Sequence, residues 1–206
     1  MQNKIVYVIC EGDSEEAFLQ ELNKYLKDKE IKLTFIIFNV GTGYYNQVKA
    51  KYNEVKKRNR SQQLIAIWVD KDIYLRNDKD NLTKYNNRKG VPSFCFTYMN
   101  YEDFLTLHNN EKLDAWTDMC CRKNHFKTPV HSTEYMPLFV EKIFPNYKKG
   151  ELPFEMNGET LKILFRNNRK AEGNPNAIHC EFISYLDNLF AKNLCLQDPE
   201  FYEPRE

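Results

Sequence analysis

Two apolar runs in this chain end abruptly in acid. KIVYVIC, residues 4–10, leads into Glu11-Gly12-Asp13-Ser14-Glu15, and LIAIWV, residues 64–69, leads into Asp70-Lys71-Asp72. A short continuous apolar run reads as a strand buried on both faces, the kind found in parallel sheets. In an open α/β sheet the carboxyl ends of the strands form the crevice where ligands bind. Carboxylates there are hard oxygen donors suited to Mg2+ or Mn2+, which share their coordination between one or two acids and phosphate oxygens. Asp70 and Asp72, two apart on a regular strand, point to the same face and could share a metal, with Lys71 directed away. Glu11 could complete that site or accept a proton from attacking water. Glu15, one helical turn onward, is a candidate second-metal ligand. Paired metals roughly 3.5–4 Å apart stabilise both the attacking and the leaving oxygen in phosphoryl displacement.

The elements that must position these acids follow from periodicity. Strands are expected near 3–10, 31–38, 64–69 and 93–99. Ser14 is placed to cap a helix carrying Phe18, Leu22, Tyr25 and Leu26 on one face, and a second helix follows with Tyr44, Val48, Tyr52 and Val55. The β-α-β-α-β order predicts a parallel sheet with right-handed crossovers. A further helix runs through Phe104, Leu107 and His108. From about residue 131 the pattern turns helical, near 132–144, 157–170 and 176–192, with Asn174-Pro175 suited to start the last of these. The division expected is an α/β core over 1–125 and a helical extension over 126–206, packed as one globular unit, with a frayed acidic tail after Asp198.

At 206 residues, with 42% hydrophobic and 14% aromatic residues, the chain can bury a real core. Thirty basic residues against 29 acidic give a net charge of +1, which excludes a histone-like basic binder but leaves room for a local basic patch. The six cysteines (Cys10, Cys95, Cys120, Cys121, Cys180, Cys195) form no CxxC pair and read as reduced residues. No apolar run reaches a membrane span and no signal peptide is evident, so a cytoplasmic protein is expected. Gly41-Thr42-Gly43 lacks the Gly-Lys-Ser/Thr of a nucleotide-binding loop and reads as a turn. Cys120, Cys121, His125 and His131 lack the paired spacing of a zinc site.

The acidic clusters, a helix and Asp70-x-Asp72 together resemble the TOPRIM domain of topoisomerases, primases and OLD-family nucleases. A narrower resemblance covers most of the chain. TYMNYEDFLTLHNN, residues 97–110, and NPNAIH, residues 174–179, resemble segments of the RloB-like family of phage-defence proteins. Glu102 and His108 fall at that family's glutamate and histidine, Tyr101 replaces a phenylalanine, and Asp103 and Thr106 replace mostly apolar residues. The resemblance implies a TOPRIM-like, Rossmann-like fold and a Mg2+- or Mn2+-dependent nuclease acting on RNA (tRNA included) or DNA in abortive-infection defence, alongside a partner ATPase. In that reading Glu11, Asp70, Asp72 and Glu102 are catalytic, Glu11, Glu15, Asp70 and Asp72 bind metal, and His108 supports the site. The alternative it leaves open is a non-catalytic sensor or scaffold working with such a partner.

Each of these residues has a plainer explanation. A lone acid at a strand end is most often a cap or a solvated charge, and only the joint placement of Glu11, Glu15, Asp70 and Asp72 favours a site. Asp103 and Glu16 read as capping or solvated. A histidine on an amphipathic helix is by default a hydrogen-bonded core residue. Basic runs usually line solvated faces, although Lys71, Arg76, Lys79, Lys84, Lys148 and Lys149 could together hold a phosphate backbone. Residues 71–90, with six basic and three acidic residues, are expected to be a flexible lid, with Tyr74, Tyr85 or Tyr101 available to stack on bases.

Overall fold

The computed structural model describes residues 3–58, 64–71, 94–97, 100–123, 132–174, 177–193 and 196–205. Four strands, β1 (Lys4–Cys10), β2 (Leu33–Asn39), β3 (Leu64–Asp70) and β4 (Phe94–Thr97), form an all-parallel sheet in the order β2-β1-β3-β4. Helix α1 (Asp13–Asp28) links β1 to β2, and α2 (Tyr45–Arg58) leads from β2 toward β3. The parallel α/β sheet expected from the alternating pattern is therefore present, and its architecture is Rossmann-like. The chain leaves β1 for one neighbour, β2, and later returns to its other side as β3. The direction of winding thus reverses between β1 and β3, which makes that gap the topological switch point.

The alternation of side chains along each strand divides the core in two. Val6, Val8, Ala66 and Trp68 face α1 and the later helices, whereas Ile9, Ile65, Ile67, Val69 and Phe96 meet Val48, Tyr52 and Val55 of α2. Tyr45 takes the buried place on α2 that the spacing assigned to Tyr44, which is 54% exposed. The helix starts at Tyr45, so Tyr44 precedes it and escapes the 3.6-residue period.

After β4 come the short α3 (Tyr101–Leu105), a 3-10 turn at Thr106–His108, α4 (Asn110–Lys123), α5 (Ser132–Lys142), α6 (Gly158–Ala171) and α7 (Glu181–Ala191). Helix α4 has no counterpart in the sequence reading. Its start is marked by the Asn109 side chain accepting from the Lys112 amide and by Glu111 in the first turn. Helix α7 lies against the sheet: Phe182 stacks on Trp68 with ring centroids 4.5 Å apart, and the Trp68 indole N–H donates to Thr97 Oγ1 at 2.7 Å. One buried apolar cluster runs from Val6 through Phe104 and Phe139 to Tyr202. Residues from both sides of position 125 therefore share a core.

Three local expectations need correction. The N-cap of α1 is Gly12, and Ser14 caps nothing: its hydroxyl instead accepts from the Gly150 amide at 3.1 Å. Helix α7 begins at Glu181 behind Cys180, so Asn174 lies well upstream of it. The tail is not frayed. Phe201 and Tyr202 are buried against Phe190, and Arg205 reaches back to Asp187 and Glu172. Aromatic anchors outweighed the polar composition that suggested a loose end.

Candidate functional site

Beyond Cys10, which pairs with Trp68 in the ladder, the Glu11 amide donates to the Trp68 carbonyl at 3.2 Å. The Glu11 side chain then turns across the gap, and its Oε2 accepts from the Asp70 amide at 3.0 Å. The ends of β1 and β3 are thus tied together through an acid at the switch point. Glu11, Glu15, Asp70, Tyr101 and Lys149 line a cleft of about 290 Å³ there. This is near the lower end of small-molecule sites, about 300 Å³, and suits an ion with a phosphate group better than a large ligand. A larger cleft of about 770 Å³ lies around Lys4 and Asn193, at the start of the strands, without a comparable convergence of acids.

The electrostatics of the cleft are set by crowding. Glu15 lies in the first turn of α1, where an acid is favoured by the helix dipole, yet its side chain is buried. Burial first, and then the Glu11 and Glu102 carboxylates, push its pKa up to about 8, against a hydrogen bond to its own backbone and the charge of Lys149. Two other first-turn acids are already engaged. The Asn39 amide donates to Asp13 Oδ1 at 2.7 Å and to Glu16 Oε2 at 2.9 Å. Lys149 reaches the cleft on the loop before α6, which the Gly150–Ser14 hydrogen bond fastens to α1.

Glu102 is buried behind the cleft rather than in its lining. Its carboxylate accepts from the Tyr135 hydroxyl at 2.7 Å and the Tyr147 hydroxyl at 3.4 Å, so it anchors α5 and the following loop to α3. Burial, followed by the Glu102 charge, drives both phenol pKa values upward. Asp103 closes a capping box with Asn100 and accepts from the Trp116 indole at 2.7 Å. Burial raises its pKa to about 7.

His108 belongs to a different place. Its Nδ1 lies 2.6 Å from the Leu105 carbonyl, its ring stacks on Phe154 at 4.0 Å, and it lines a separate pocket with Lys112 and Phe144. Burial lowers its pKa, and the Lys112 charge adds to that. It sits half-buried at the end of the 3-10 turn, packed between the Phe144 and Phe154 rings. Lys71 follows β3 half-buried, and Lys148 is exposed beside Lys149; neither lines the cleft. Asp72, Arg76, Lys79 and Lys84, with the proposed lid, lie outside the described residues.

The sequence reading missed what surrounds the acids: the Tyr135–Glu102–Tyr147 group and the Ser14–Gly150 fastening. Tyr101, expected at the crevice and available to stack on bases, is instead buried against Trp68 and Phe104, and among the described residues its hydroxyl has no hydrogen-bond partner.

The donor chemistry fits a hard divalent cation. Glu11, Glu15 and Asp70 supply carboxylate oxygens, Glu15 is crowded by like charge, and Tyr101, whose hydroxyl is buried, is among the residues lining the same cleft. Among the described residues no group of three His, Cys, Asp or Glu side chains stands in metal-holding geometry, and Asp72 is not among them. No helix of the described residues is long and apolar enough to cross a membrane. Compared with known proteins, the chain matches no family model, and no curated protein or solved structure is significantly similar to it.

Proposed function

We propose that this protein is a divalent-metal-dependent nuclease of the TOPRIM type, resembling the RloB-like family, that hydrolyses phosphodiester bonds of RNA or DNA in defence against phage. The observation that carries the reading is the meeting of Glu11, Glu15, Asp70 and Lys149 in one cleft at the switch point between β1 and β3. Asp70, Glu15 and Asp72 would hold Mg2+ or Mn2+. When bound, such a cation polarises the phosphate and lowers the pKa of water beside it.

The chain's own residues supply the remainder. Water attacks phosphorus, forming a new P–O bond as the bond to the leaving oxygen breaks. Glu11 takes the proton released by the water, and the leaving oxygen is protonated from solvent. Lys149 offsets charge on the phosphate oxygens, while the Gly150–Ser14 contact holds its loop over the acids. Lys148 and Lys71 extend positive charge along a substrate backbone, joined by Arg76, Lys79 and Lys84. A partner ATPase that licenses cleavage belongs to the same proposal.

One observation favours the second reading, a sensor or scaffold. The Glu11 carboxylate is already engaged by the Asp70 amide. A magnesium titration of RNA and DNA cleavage separates the two. Cleavage that requires magnesium and disappears in the Asp70→Ala, Asp72→Ala double variant supports the nuclease. Cleavage that survives the double variant overturns it.

A further inference from the structure

Among the described residues three buried tyrosine hydroxyls lack a hydrogen-bond partner: Tyr25, Tyr101 and Tyr185. Of these, Tyr101 lines the acidic cleft. A buried hydroxyl left unpaired bears its full desolvation penalty, and native structures rarely keep one without a reason. The ring needs no hydroxyl for packing, because Trp68 at 6.0 Å and Phe104 at 5.3 Å already enclose it. The Glu15 and Glu102 carboxylates stand near enough to oppose ionisation of Tyr101, yet neither accepts its hydrogen bond. Tyr147 gives its own proton to Glu102, so that acceptor is served from elsewhere.

We propose that Tyr101 is a positioning residue whose hydroxyl hydrogen-bonds the hydration water of a divalent cation held by the acidic cleft. This rests on the cation reading above. The chemistry matches on both sides. Magnesium sheds water reluctantly and keeps several molecules with protons to donate, and a phenol oxygen accepts one without competing with carboxylates for the ion. Such partners beyond the direct ligands orient what the metal holds. The proposal gives Tyr101 a part in the cleft that a phenylalanine could not play, distinct from stacking on a base.

The test is calorimetric titration of the full chain with MnCl2, comparing the parent protein, Tyr101→Phe and Tyr185→Phe. Each is also melted in EDTA. Tyr101→Phe is expected to weaken Mn2+ binding roughly 10-fold, the size usual for losing an outer partner of a metal. Its melting temperature in EDTA should be unchanged or higher, because an unpaired hydroxyl has been removed. Tyr185→Phe should bind Mn2+ as the parent does. If Tyr101→Phe binds Mn2+ with parental affinity, the Tyr101 role is wrong and the cation reading stands. If Tyr101→Phe melts lower in EDTA, the hydroxyl is structural and the proposal fails. If the parent protein binds no Mn2+, the cation reading fails and takes Tyr101 with it.

Discussion

Two buried carboxylates in this protein have opposite surroundings. Asp187 on α7 receives a bidentate pair from Arg169, at 2.9 and 2.7 Å, and a further donor from Arg205 at 2.8 Å. Burial works to raise its pKa, but those guanidinium hydrogen bonds and charges prevail and hold it below the usual range. Glu15 has no such escort. Its charged neighbours are two other carboxylates and the exposed Lys149, and its pKa is pushed up to about 8. A carboxylate neutralised by the protein's own cations holds a fold together. One left among like charges costs stability, and such a cost is usually kept where a ligand removes it.

The largest expected effect is on the neutralised side. Asp187→Ala leaves Arg169 and Arg205 facing each other without their acid, and should cost about 3 kcal/mol in urea unfolding, as for other broken buried pairs. A cost near zero would mean that Glu172 and the Glu203 carbonyl, which also accept from these arginines, suffice alone. Next is Gly158, at the start of α6, where an added Cβ would lie 2.7 Å from the Glu200 carbonyl oxygen. Gly158→Ala should push the C-terminal tail off α6 and cost about 1–3 kcal/mol, with faster hydrogen exchange around Tyr202.

The opposite surroundings also imply opposite pH dependence. The stability from Asp187 is present above its unfolded pKa and is lost as pH falls through its lowered folded value. For Glu15 the folded state holds its proton more tightly than the unfolded chain does. Stability in EDTA should therefore fall as pH rises from about 4.5 to about 8. Asp103, raised to about 7, adds a decline of the same sign, so the informative quantity is the difference from Glu15→Gln. That variant should be more stable than the parent at pH 8 without metal, and the difference should vanish near pH 4. An identical pH profile would mean that the crowding around Glu15 has no energetic weight.

These contrasts also show how far the sequence could be read. The sheet was legible because buried parallel strands are continuous apolar runs, and the joining of Glu11 to Asp70 followed from two such runs ending in acid. Tyr44 and Tyr45 could not be ordered, since one residue's shift in helix start changes which ring is buried. Asp187 drew no notice: its neutralisation depends on Arg169, which meets it once α6 packs on α7, and on Arg205, which meets it once the tail folds back. Lys149 was read as one of several backbone-binding lysines. Its approach to Glu15 depends on Ser14 accepting from Gly150, a contact that no local pattern encodes.

The claim at the centre is that the acids at the switch point hold a divalent cation. An anomalous difference map from a crystal soaked in MnCl2, collected near the manganese edge, addresses it most directly. A peak within about 2–2.5 Å of carboxylate oxygens of Glu15 and Asp70, absent from Glu15→Gln crystals, is the expected result. A cleft without a peak in a saturated crystal, or a manganese peak confined to surface acids elsewhere, would contradict the claim.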